Sequence, residues 1–81
     1  MMAVTVIFIG KLADLAGEGE RAVPAPLEWG GLAELLGADL AKAAADDRTK
    51  IAVNGKVLAD KSALHAVDGD EVALLPPVSG G

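Results

Sequence analysis

The chain has 81 residues, enough for one small domain with a modest core and little interior room for a complete active-site cleft. It is 52% hydrophobic, carries a net charge of -5, and has two aromatic residues, Phe8 and Trp29. That composition argues against disorder, and the charge and scarce aromatics argue against nucleic acid and anionic membrane as partners. With no cysteine and one histidine, disulfides, thiolate zinc, thiol catalysis and a multi-histidine metal site are excluded.

In chain order, residues 3–9 are dense in β-branched side chains and read as a strand. Val4, Val6 and Phe8 fall on one face; Thr5, Ile7 and Ile9 fall on the other, which the threonine marks as the exposed one. Residues 11–16 make at most a short helical turn stopped by Gly17. Residues 20–25 read as an edge strand, because Pro24 has no N–H to give a central ladder. The main helix is expected over Leu32 to Ala45, with Leu32, Leu35, Leu36, Leu40 and Ala43 on one stripe. Gly37 marks a point where it can break, and Asp46-Asp47 place its end, since acids oppose the dipole there.

Residues 50–53 and 56–58 flank Asn54-Gly55, a dipeptide suited to the positive φ of a tight hairpin. Residues 59–67 read as loop. Asp68-Gly69-Asp70 is a turn before the strand 71–75, whose apolar residues on both faces suggest a central position. This order gives an α+β domain, a mixed sheet packed on one main helix. If first and last strands pair in parallel, the arrangement is the ubiquitin-like β-grasp. Residues 1–75 then form the domain and residues 76–81 an extended C-terminal tail.

Conventional catalytic motifs are missing. His65 has no cysteine to pair with, and Ser62 lies three residues away in a loop, so His65 reads as an ordinary surface histidine. Asp68, Asp70 and Glu71 lack the spacing of a calcium loop and read as solvated turn charges. The distinctive feature is Pro76-Pro77-Val78-Ser79-Gly80-Gly81. Two prolines stiffen the exit from the last strand, and six extended residues reach up to about 20 Å. The terminal pair has no side chains and fits a channel too narrow for other residues. The functional group at its tip is the Gly81 carboxylate.

The chain resembles the small subunit of molybdopterin synthase (MoaD-type), a β-grasp sulfur-carrier family related to the thiamine sulfur carrier. The resemblance is carried by the run from Asp68 to Gly81, by Phe8 with Leu12, Asp14, Leu15, Ala16 and Gly17, and by Val53-Asn54-Gly55. It departs where the family has Arg-Glu-Leu and this chain has Ala13-Asp14-Leu15. The resemblance implies a carrier subunit of a sulfurtransferase complex rather than a complete enzyme; the cytoplasm is the expected address because Met1 and Met2 lead straight into a strand-like run without a signal-peptide pattern and no apolar run nears the ~20 residues of a membrane span. It implies no cofactor on this chain: an E1-like adenylating enzyme uses ATP and Mg to activate Gly81, and a sulfur donor enzyme converts it to a thiocarboxylate. Pro76, Pro77, Val78, Ser79 and Gly80 enter the large subunit, where sulfur passes to cyclic pyranopterin monophosphate, in a hetero-tetramer of two small and two large subunits. Ile9, Val57 and Leu75 are expected to form the partner-binding surface on the sheet face away from the helix. The competing readings are a ubiquitin-like modifier joined through Gly81 to lysines, a carrier for thiamine, cysteine or tRNA thiolation, and a plain interaction domain with a passive tail.

Overall fold

The computed structural model describes residues 2–77. The strands are β1 (Ala3–Phe8), β2 (Glu20–Pro24), β3 (Leu27–Glu28), β4 (Lys50–Val53), β5 (Lys56–Val57), β6 (His65–Ala66) and β7 (Glu71–Leu75). The helices are α1 (Lys11–Ala16), α2 (Leu32–Leu36) and α3 (Ala38–Ala45), with 3₁₀ turns at Trp29–Gly31 and Lys61–Ala63.

The main sheet has the order β2-β1-β7-β4-β5. Its centre is the expected parallel pairing of β1 with β7, in which Val6 aligns with Val72 and Phe8 with Leu74. β7 also pairs antiparallel with β4, so it is central, while β2 takes the edge its proline requires. The hairpin between β4 and β5 turns through Asn54 at φ 50 and Gly55 at φ 85. These elements form the ubiquitin-like β-grasp, an α+β fold with a mixed sheet and a main helical layer.

One face of the sheet is buried against the helices. Val4, Val6 and Phe8 of β1, Val72 and Leu74 of β7 and Ile51 of β4 meet Leu32, Leu36, Leu40 and Ala44 in a single core. The four helical positions follow a spacing of four, so Ala44 takes the buried place expected of Ala43, and Leu35 and Ala43 are half-buried at its margin.

The helical layer is interrupted at Gly37. That residue sits at φ 96, ψ 159, a conformation essentially reserved for glycine. Gly37 N–H still donates to Ala33 O, and Ala41 N–H to Gly37 O, both at 3.0 Å, so hydrogen bonding continues on each side of the kink.

Four further expectations need correction. β1 stops at Phe8, leaving Ile9 in the following turn, because the chain must bend there into α1. β2 ends at Pro24 and β5 at Val57, each one residue short. Residues 59–67 are not plain loop: they hold a 3₁₀ turn and β6, which pairs with β3 in a second, two-stranded sheet. That small sheet carries Leu27 and Ala66 into the core, both fully buried, beside Leu64. Its ladder is two residues long, too short to show any alternation in the sequence. Among the described residues no helix is long and apolar enough to cross a membrane.

Candidate functional site: the outer sheet face and the root of the tail

Strand parity builds the outer face. Since Val6, Val72 and Ile51 point to the core, their neighbours in sequence point away from it. The register places Ile7 beside Ala73, Ala73 beside Ala52, and Ala52 beside Val57. An apolar row thus crosses four strands, from the half-buried Ile7 to Val57, which is 57% exposed. The two alanines at its middle are short, and a depression of ≈ 450 Å³ opens there, lined by Ile7, Ala52, Ala73, Asn54, Gly55 and Glu71.

Leu75 belongs to the same face, opposite Lys50, and is half-buried. Extending the β1–β7 register by one residue aligns Ile9 with Leu75, and Ile9 is 43% exposed. The three residues expected to bind a partner therefore lie on or beside the outer face, with Ile9 just past the end of β1. Ile7, Ala52 and Ala73 are members of this face that the sequence reading did not single out as partner-binding. Their signal was the period-two alternation itself, which already put Ile7 on the same side as Thr5.

Two side-chain networks frame the face. Asp68 Oδ1 accepts from Ala3 N–H at 2.8 Å, and Asp70 Oδ2 accepts from Val67 N–H at 2.9 Å. Asn54 donates through Nδ2 to Asp70 Oδ1 at 3.0 Å and accepts from Glu71 N–H at 2.9 Å. The Val67 N–H, and next the Asn54 amide, hold the Asp70 carboxyl below the ordinary carboxylate value. These acids shape the turn into β7, as turn residues do.

Behind the sheet, Lys61 Nζ donates to Ala44 O and Asp46 O at 2.8 and 2.6 Å, closing the carboxyl end of α3. At that end Arg48 hydrogen-bonds Asp46 and pushes its carboxyl down to about 2. His65 Nδ1 stands 3.0 Å from Glu28 Oε2, while Ser62 Oγ donates to Asp60 Oδ1 at 2.6 Å. Both are engaged away from each other, so no nucleophile–base pair forms between them. Among the described residues no group of three or more histidines or carboxylates is placed to hold a metal ion.

β7 ends at Leu75, and the half-buried Pro76 and Pro77 follow. The expected site residues Val78, Ser79, Gly80 and Gly81 lie outside the described residues. What the described part offers is an apolar outer face with a depression at its middle, beside the strand end from which Pro76 and Pro77 depart.

Comparison with known proteins adds the family. The ThiS family model matches residues 6–81. No curated protein sequence matches significantly. The crystal structure of SAMP1 from Haloferax volcanii is similar at 28% identity and a TM-score of 0.70, over 98% of this chain and 99% of that one. A solution structure of the Haloferax volcanii HVO 2177 protein is similar at 26% identity and a TM-score of 0.70, over 99% of this chain and 87% of that one. A solution structure of the small archaeal modifier protein 1 from Methanosarcina acetivorans, at 22% identity and a TM-score of 0.59 over 100% and 99%, shares the fold. With its parallel β1–β7 core and a family match running from the first strand to the diglycine, the chain belongs to the ThiS family, as a ubiquitin-like β-grasp protein of the class that comprises sulfur carriers and modifiers.

Proposed function

We propose that the protein is an activated-carboxylate carrier of the ubiquitin-like type. An E1-like enzyme, using ATP and Mg, joins the Gly81 carboxylate to AMP with release of pyrophosphate. A free carboxylate is a poor acyl donor because oxide is a poor leaving group; the adenylate supplies AMP as the leaving group instead. The observation that carries this reading is the ThiS-family match reaching Gly80-Gly81 in a chain with no cysteine to hold sulfur on a side chain.

The nucleophile that displaces AMP separates two uses. If it is a lysine amine, the nitrogen–carbonyl bond forms, a proton leaves, and the product is an isopeptide. If it is sulfide delivered by a sulfur donor enzyme, the product is a thiocarboxylate. Near full-length similarity to small archaeal modifier protein 1 of Haloferax volcanii, at 28% and 29% identity in two crystal structures, favours the modifier use. The Pro76-Pro77-Val78-Ser79-Gly80-Gly81 ending favours the second use, with sulfur delivered to cyclic pyranopterin monophosphate in the large subunit of molybdopterin synthase. In both, the partners dock on the face that carries Ile7, Ala73, Ala52 and Val57.

The test is mass spectrometry of the full chain after incubation with ATP, Mg and its activating enzyme. An adenylate that hydroxylamine captures as the Gly81 hydroxamate is expected. With a sulfide donor added, replacement of one oxygen by sulfur marks the carrier; Gly81 linked to lysines of other proteins marks the modifier. A chain that never forms the adenylate overturns both.

A further inference from the structure

We propose that the turn Ile9–Leu12 is the seat that aims the tail, with Pro76 as a positioning residue for the reaction at Gly81; this rests on the carrier reading above. The turn is closed by Leu12 N–H donating to Ile9 O at 3.2 Å. Its first central residue, Gly10, has φ 60 and ψ -130, the geometry of a II′ turn, which admits glycine there. A Cβ built on Gly10 would lie 3.6 Å from Pro76 Cγ. The proline ring is therefore the near neighbour of a bare Cα, and Pro76 and Pro77 are half-buried rather than standing free of the body.

The seat is rigid for reasons visible on both sides. Upstream, β1 is hydrogen-bonded to β7, the strand from which the tail departs, so seat and exit share one sheet. Downstream, Leu12 is 2% exposed and anchors α1 in the core. Pro76 itself contributes a fixed φ near about −65°. Ring, turn and sheet together define the direction in which the chain leaves β7.

Direction matters because the reacting group is remote. Five residues beyond Pro76 span at most about 16–18 Å. A swing of about 10° at the root would carry an extended tip some 3 Å sideways over that span, and misplacement of about 1 Å already costs on the order of 100-fold in rate. A partner's channel that corrects such a swing meets an ordering cost that a fixed direction at Pro76 lessens.

The test compares the wild-type chain with Pro76→Ala and Pro77→Ala in adenylation by the activating enzyme. Pro76→Ala removes the ring from Gly10; Pro77→Ala leaves it in place. Pro76→Ala should lower kcat by about 2–5-fold, the scale of one proline's conformational restriction. KM for the chain should stay at its wild-type value, because the docking face is untouched, while the melting temperature should fall by about 2–8 °C, the folding-side effect of the same restriction. Pro77→Ala should lower kcat less. Equal losses in the two variants would assign the effect to general tail stiffness, and an unchanged kcat in Pro76→Ala, or a loss carried by KM, would equally overturn the seat. A nuclear Overhauser contact between Gly10 Hα and the Pro76 ring in the free wild-type chain is the independent readout. Its absence overturns the seat even if no adenylate forms, whereas its presence with no adenylate in any variant sinks the carrier reading alone.

Discussion

Asn54 and Asp70 tie the β4–β5 turn to the entry of β7: the Asn54 side-chain nitrogen donates to Asp70 Oδ1 at 3.0 Å, and Asn54 Oδ1 accepts from Glu71 N–H at 2.9 Å. One residue thus serves twice, since its backbone also supplies the positive φ of 50 that the hairpin needs. The two roles are separable. Asn54→Gly keeps the turn conformation and loses the side-chain bonds, at about 1 kcal/mol. Asn54→Ala loses the bonds and also meets the steric cost of a left-handed alanine, for a total of about 2–3 kcal/mol. Urea unfolding of the three proteins should rank wild type above the glycine variant and the glycine variant above the alanine variant.

The same link makes part of the stability pH-dependent. Asp70 has a folded pKa below its ordinary value of 3.8, first through the Val67 N–H and then through the Asn54 amide. A depressed carboxyl contributes stability that is present above the unfolded value and is lost as pH falls through the folded one. The stability gap between wild type and Asp70→Asn should therefore be widest near neutrality and close as pH drops below about 4. Asp46, held at about 2 by Arg48, should lose its contribution between 3.8 and about 2. Because that pair is on the surface, 1 M salt should remove most of its effect.

Gly37 reverses an expectation drawn from propensity alone. In a continuous helix, alanine at this position would be better than glycine by about 1 kcal/mol. At φ 96 and ψ 159 it should instead be worse by about 1–3 kcal/mol, although nothing lies within 4 Å of the added Cβ. Thermal unfolding of Gly37→Ala decides the sign: a raised midpoint would mean that α2 and α3 can fuse without cost.

What the sequence carried and what it did not have physical causes. The long strands were legible because the β-branched run in residues 3–8 and the apolar residues 72–75 persist over four to six positions. Asn54-Gly55 was legible because few dipeptides suit two successive positive φ values. β3 and β6 were not, since two-residue strands have no period and gain their identity only from pairing across 37 positions, as Glu28 does with His65. The outer face was half legible: parity put Ile7 and Ile9 on one side, but that Ala52 and Ala73 align between Ile7 and Val57 depends on a register that only the folded sheet defines.

The final prediction separates the proposed docking face from the proposed reacting tip. Val57→Lys alters an exposed residue next to Lys56 at an edge strand, where a lysine is well tolerated, so the fold should be unchanged. It places a charge at the end of the apolar row and should weaken binding to the activating enzyme by about tenfold, the scale of losing one good interface contact. Deleting Gly81 does the opposite. The face is intact, so binding should hold within a factor of about two, but the carboxylate retreats by one residue, about 3.3–3.6 Å. With the reacting atoms displaced by more than the roughly 1 Å that near-attack geometry allows, adenylate formation should fall by at least about 100-fold. Binding measured by calorimetry and turnover measured by pyrophosphate release should therefore split in opposite ways for the two variants. If the truncated chain is adenylated at the wild-type rate, Gly81 is not the activated residue; if Val57→Lys binds as wild type does, the partner docks elsewhere.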